Sequence, residues 1–285
     1  MSDRPSWDVE GKDWPNRAHS RFVEAGGFSW HLQVAGEGPV LLLIHGTGAS
    51  THSWRAVLPL LAAHFTVVAP DLPGHGFTAK GPQTLPGMAK AVAALLAVLD
   101  LKPETIVGHS AGAAIAIRMV LDGAPAKTVI ALNPALLPFP GLAAQLFPTL
   151  AKMLFLNPFA PHIFARMAGP TREVTRFMKK STGSTLDADG IDLYARLFRK
   201  PGHIAGTIGM MANWDLVTLK RDLHGLTVPL HIIHGERDAA IPVAKGREAA
   251  TLVPGATFKV LPGLGHLAHE EAPDMIVEMI RKVAQ

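Results

Sequence analysis

Gly108-His109-Ser110-Ala111-Gly112 sets a serine between two glycines in the pattern G-x-S-x-G. The apolar run Thr105-Ile106-Val107 precedes it and an Ala-rich stretch with helical spacing, 111–121, follows. That strand–turn–helix context gives the motif its chemistry: small neighbours allow a sharp, strained turn that lifts the hydroxyl above a sheet. The helix N-terminus there favours developing negative charge. A serine hydroxyl becomes a nucleophile only when a base takes its proton, and His266 in Gly263-Leu264-Gly265-His266 is the candidate, just beyond the last expected strand. His269 competes, but falls nearer the final helix, where packing or capping suits it better. A carboxylate must hold the histidine tautomer and stabilise the imidazolium. Asp238 meets that need in the loop Gly235-Glu236-Arg237-Asp238, with Glu236 and Asp222 as weaker, surface alternatives. The strand at 129–132 ends in Asn133, not an acid, so a second carboxylate position there is closed. Oxyanion donors are expected from the backbone N–H of Ala111 and of Thr47, the latter within His45-Gly46-Thr47-Gly48; one such donor is typically worth ~3 kcal/mol.

The elements that must position these groups alternate. Arg21–Ala25 and 28–34 flank Gly26-Gly27, a hairpin signal. Val40-Leu41-Leu42-Leu43-Ile44 reads as a strand buried on both faces. Next come a helix over 53–64, a strand over 65–69, a helix over 86–99, the strand and helix around Ser110, and a strand over 129–132. After an interruption follow a strand at 229–233, a helix near 243–252, a strand at 257–261 and a closing helix, 273–283. Such alternation implies a mostly parallel central sheet with helices on both faces, binding ligands at the carboxyl ends of its strands. The boundaries are an N-terminal arm, 1–20, a core of 21–133 and 217–285, and a helical cap, 134–216. Disorder is confined at most to the arm, where polar groups surround Trp7 and Trp14.

The cap sequence is proline-broken (Pro138, Pro140, Pro148, Pro158, Pro161 and Pro170), with an apolar first part carrying Phe147, Phe155, Phe159 and Phe164. Its later part is basic, from Arg166 and Arg172 to Arg199 and Lys200. An apolar stripe packed on the core with a solvated basic face is the ordinary outcome. An apolar pocket with a cationic rim, suited to a bulky hydrophobic substrate bearing carboxylates, is the sharper one. Peripheral contact with an anionic membrane is the third. His45, as an orienting group, together with His109 and Trp214 is expected at the substrate pocket, and His52, Trp54 and Asn213 are further candidates.

Bulk properties narrow the classes. The chain has no cysteine, which excludes disulfides, a thiolate nucleophile and Cys-ligated metal. Its fourteen histidines show no H-E-x-x-H pattern, so neither metal nor cofactor is expected. A net charge of +4 with scattered Lys and Arg argues against nucleic acid. No secretory pattern opens the sequence and no long apolar run spans a membrane, so the expectation is a cytoplasmic protein.

His45-Gly46-Thr47-Gly48, Asp71-Leu72-Pro73-Gly74-His75-Gly76 and the segments around Ser110, Asp238 and His266 together resemble the α/β-hydrolase superfamily, from about Arg21 to the end. The resemblance implies the α/β-hydrolase fold, with an inserted helical cap and a catalytic order Ser, Asp, His. A narrower likeness rests on Asp13-Trp14-Pro15-Asn16-Arg17, on the stretch 46–54, on Ala135-Leu136-Leu137-Pro138-Phe139 and on the stretch 210–216. These are similar to the magnesium-chelatase accessory hydrolases of bacteriochlorophyll biosynthesis. That likeness implies a role near magnesium insertion into protoporphyrin, with a porphyrin as one substrate or ligand and magnesium-chelatase subunits as partners. A non-catalytic accessory role stands beside the hydrolase reading.

Overall fold

The computed structural model describes residues 3–138, 152–154, 156–169 and 171–284. Eight strands form one sheet in the order β1-β2-β4-β3-β5-β6-β7-β8. They are β1 (Ser20–Ala25), β2 (Phe28–Ala35), β3 (Val40–Ile44), β4 (Thr66–Pro70), β5 (Thr105–His109), β6 (Thr128–Leu132), β7 (Leu230–Gly235) and β8 (Thr257–Leu261). β1 and β2 are antiparallel, turning at Gly26 and Gly27, whose φ of 63° and 87° give the left-handed pair a two-residue hairpin requires. From β4 to β8 every pairing is parallel.

Helices α1 (Val57–Ala62), α2 (Leu85–Val98) and α3 (Ala111–Leu121) fall between the early strands. α4 (Ala160–Met167), α5 (Thr171–Thr182), α6 (Ala188–Phe198), α7 (Pro201–Ala212) and α8 (Leu216–Asp222) lie between β6 and β7. α9 (Val243–Thr251), the short α10 (Ala268–Glu271) and α11 (Pro273–Ala284) complete the chain. Two apolar layers cover the sheet. On one face α2 and α3 bury Met88, Leu95, Ile115 and Ile117; on the other α1 and α11 bury Leu58, Leu61, Ile276 and Ile280. Such two-sided burial explains why the central strands read as continuous apolar runs rather than alternating ones.

Three expectations are corrected. The helix over 53–64 is a 3-10 turn, Thr51–Trp54, followed by α1. The arm is not disordered where described: Trp14 is buried and donates its indole N–H to Thr51 Oγ1 at 3.0 Å, while Trp7 packs edge-on against Phe22 and Phe77. Two aromatic anchors offset the ordering entropy of a short arm. The third concerns the inserted helices. α5 buries Val174 and Met178 and leaves its basic residues outside, the ordinary arrangement. α4 does the reverse, burying Ala160 and Ala165 while Ile163, Phe164 and Met167 are exposed. Phe147, Phe155, Pro140, Pro148 and Pro170 lie outside the described residues.

The glycines flanking Ser110 are there for want of space. A Cβ on Gly108 would lie 2.5 Å from the Ala113 backbone, and one on Gly112 2.2 Å from Ile44 O. Because backbone cannot swing aside, Gly112→Ala is expected to destabilise the fold by roughly 3 kcal/mol, read from the urea unfolding midpoint. An unchanged midpoint would show that α3 can shift off β3.

Candidate active site

Ser110 sits where β5 ends and α3 begins, at φ 54° and ψ −117°. A non-glycine residue is held in that sparsely populated region only when its surroundings over-determine it. Here the Ser110 N–H donates to Leu132 O at 2.9 Å, and Ser110 O accepts from Ala113 and Ala135 N–H. Its neighbours His109 and Ala111 are buried, whereas Ser110 is only partly so. As the first helical residue, Ala111 has no acceptor for its N–H within α3.

Asp238 lies in the loop after β7, its side chain withdrawn from solvent. One carboxylate oxygen accepts from the Ala240 and Ile241 N–H groups, each at 2.8 Å. The other accepts from His266 Nδ1–H at 2.8 Å and Asn133 Nδ2 at 2.8 Å, with His234 Nε2 at 3.3 Å. Burial alone would raise this carboxyl's pKa; the His234 and His266 bonds and the loop N–H groups outweigh it and hold the group well below the usual carboxylate range. With Nδ1–H given to Asp238, the neutral His266 keeps Nε2 as a proton acceptor. The main chain of His266 is also fixed: its N–H donates to Thr182 O at 2.8 Å and its O accepts from His109 Nε2–H at 2.9 Å.

The structure therefore joins Asp238 to His266 directly and ties His109 to the His266 main chain. Ala111 follows Ser110 at the head of α3. Thr47 lies under α7, its hydroxyl 3.3 Å from Met210 Sδ. The inserted helices hold this region at several points: His203 on α7 donates to Gly48 O at 3.0 Å and accepts from Gly76 N–H, and Ser184 Oγ accepts from Leu267 N–H.

His45, His109 and Trp214, expected at the substrate pocket, are each tied into the framework. His45 is fully buried, Nδ1–H donating to Gly46 O and Nε2 accepting from Leu72 N–H, so it ties two loops together. His109 is equally buried, and burial followed by the nearby His266 pushes it down to about 3. Trp214 packs against the main apolar layer. His269 packs as expected, bonded to Ser53 Oγ at 2.7 Å, and Asp222 pairs with Arg118. Two cavities, of about 160 Å³ beside Pro134 and Ile241 and about 490 Å³ between Arg4, Lys80 and α7, are not lined by Ser110 or His266. Among the described residues no three His, Asp or Glu side chains are grouped to hold a metal ion.

Sequence reasoning read Asn133 only as the absence of a second carboxylate, and did not reach His234 or Glu270. Asn133, at φ 46°, is a buried donor to the Asp238 carboxylate. Glu270, buried, accepts from Tyr194 OH at 2.8 Å and Ser53 Oγ at 3.0 Å and pairs with Arg55, tying α6 to the core. Asp71 holds its neighbouring loops together: it accepts from Thr51 N–H, Phe77 N–H and His31 Nδ1–H.

Comparison with known proteins adds the following. The family model described as the alpha/beta hydrolase family matches residues 41–279. The chain is 38% identical over 273 residues to a magnesium-chelatase 30 kDa subunit from Rhodobacter capsulatus, covering 94% of this chain and 95% of that one. Among solved structures, the epoxide hydrolase CorEH superposes with a TM-score of 0.78 at 23% identity, covering 92% of this chain and 97% of that one. The enol-lactonase from Burkholderia xenovorans LB400 gives 0.74 at 20%, covering 92% and 98%. At such identities these structures share the fold alone, and their different reactions illustrate that a fold does not choose its chemistry.

Proposed function

The chain belongs to the alpha/beta hydrolase family, and from that we propose that it is a serine hydrolase acting on a hydrophobic, ester-like substrate through Ser110, His266 and Asp238. The observation that carries this reading is the 2.8 Å bond from His266 Nδ1 to an Asp238 carboxylate saturated with donors, with the His266 main chain tied to His109, the residue before a serine held at a strained elbow. In the proposed reaction Ser110 Oγ attacks the carbonyl carbon while its proton passes to His266 Nε2. The oxyanion is met by the Ala111 and Thr47 N–H groups. The protonated imidazole, balanced by Asp238, then gives its proton to the leaving alkoxide. Water, deprotonated by the same nitrogen, releases the acid and restores Ser110. His45, His109, Asn133 and His234 hold the loops and the carboxylate in place, and the inserted segment is the cap that covers the site.

The name of the Rhodobacter capsulatus relative, a magnesium-chelatase subunit, supports a proposed substrate from magnesium-porphyrin chemistry. It also favours a second reading, an accessory role beside magnesium chelatase in which the protein binds a porphyrin or the chelatase subunits without turnover. Labelling by a small fluorophosphonate, with the modified residue located by mass spectrometry, separates the two. Labelling is expected at Ser110 alone, lost in Ser110→Ala and His266→Ala. An unlabelled but folded wild type would remove the hydrolase reading and leave the accessory one.

A further inference from the structure

The outward apolar face of α4 has no counterpart elsewhere on the described surface. Among the described residues, seven of the thirteen exposed large hydrophobic side chains fall between Met153 and Phe177. Leu156, Phe159, Ile163 and Met167 follow one another at spacings of three and four, so they share one stripe where the chain is helical. Beneath them lie only the small Ala160 and Ala165, through which α4 packs against α7. A soluble surface helix ordinarily turns its large apolar residues inward; contiguous exposure of this kind marks an interaction surface.

The charges around it say what kind. Lys152, Arg166, Arg172, Arg176, Lys179 and Lys180 accompany the stripe, against Glu173 as the one acid of 152–180. Glu173 is taken by Arg176 at 3.0 Å, and the other five cations make no ion pair among the described residues. A second copy of the same face would bring two cationic rims together, which like-charge repulsion opposes. No helix of the described residues is long and apolar enough to cross a membrane. Exposed apolar side chains with unpaired cations close by in the sequence fit the boundary between the acyl chains and the phosphates of a bilayer.

We propose that the face formed by α4 and the exposed side of α5 docks peripherally on an anionic membrane, Phe159, Ile163 and Met167 entering below the headgroups and the flanking cations contacting lipid phosphates. The inference does not depend on the chemistry at Ser110. It gives a hydrophobic substrate a surface from which to arrive, since α4 rests on α7 and α7 touches Thr47 and Gly48.

Flotation of the full chain with vesicles tests it, using phosphatidylcholine alone and an equal mixture with phosphatidylglycerol. The wild type is expected to float with the mixed vesicles, and far less with phosphatidylcholine or at high salt. Ile163→Ser/Phe164→Ser/Met167→Ser and, separately, Lys179→Glu/Lys180→Glu are each expected to weaken binding by roughly tenfold or more. Both variants alter exposed residues only, and an unchanged thermal melt establishes that they fold. Failure of the wild type to float with either vesicle overturns the proposal, as does equal flotation of the apolar variant. Equal binding to both vesicles overturns its anionic part. A dimer in gel filtration, abolished by the apolar variant and unaccompanied by flotation, assigns the face to a second copy instead.

Discussion

Asp238→Asn is expected to lower turnover of an activated ester by about 10⁴-fold relative to the wild type. The expectation follows from the donors around the carboxylate. Its two oxygens accept from the N–H groups of Ala240 and Ile241, from Asn133 and from His266. An amide has one oxygen to offer, so its NH₂ must face donors. If the NH₂ turns toward the ring, His266 Nδ1 becomes the acceptor, the proton moves to Nε2, and the nitrogen proposed to take the Ser110 proton is blocked. If it turns toward the loop, Ala240 and Ile241 lose their acceptor and the loop is loosened. Either outcome suppresses turnover, and the second also lowers the melting temperature. Ester hydrolysis under saturating substrate, alongside a thermal melt, reads both. A folded variant with turnover within about tenfold of the wild type would remove Asp238 from the proposed mechanism.

Much of the arrangement was legible because the decisive residues stand at element ends with local signatures. Gly108 and Gly112 announce the elbow around Ser110 because a Cβ at either position meets backbone. The hairpin at Gly26-Gly27 and the limits of α3 and β8 also follow from local pattern. What escaped depends on neighbours distant in sequence. Asn133 meets Asp238 because β6 and β7 pair in parallel, setting Leu132 opposite Ile233, so that the loops after both strands emerge side by side. No local pattern distinguishes that asparagine from a turn residue. The backbone bonds of His45 and His109 were illegible for a related reason: a histidine beside a nucleophile reads the same whether its ring faces a ligand or bonds to backbone. Composition marked the start of the inserted segment as apolar, but not the direction in which α4 turns its large side chains, which depends on what the alanines opposite pack against.

The protein is expected to lose stability steeply as pH falls below about 6.5, long before its carboxylates titrate. Burial holds His203 down to about 4 and His109 to about 3, and it pushes His52, His75 and His269 well below their ordinary value. A group whose folded pKa is depressed binds protons more readily in the unfolded chain. Its contribution is therefore complete above the unfolded value of about 6.5 and is lost as pH falls toward the folded one. For His203 alone the difference amounts to about 3 kcal/mol. Asp71, where burial is overcome by His31, His45 and the Phe77 N–H acting together so that the group is held at about 2, has the same sign but acts only below about 4. Glu270, raised by burial, opposes the trend: its stabilising preference for the proton grows as the pH drops. With His45 and His231 also lowered by burial, seven histidines against one glutamate decide the direction. Urea unfolding midpoints at about pH 7.5 and about pH 5.5 should differ strongly, within a fold whose marginal stability is of order 5–15 kcal/mol. His203→Gln, which keeps a donor and an acceptor for Gly48 O and Gly76 N–H, should flatten the profile by its share. A wild-type midpoint unchanged down to about pH 5 would mean that these rings accept protons in the folded state as readily as in the unfolded one, and the layer of neutral histidines beneath α6 and α7 would then have to open to water without unfolding.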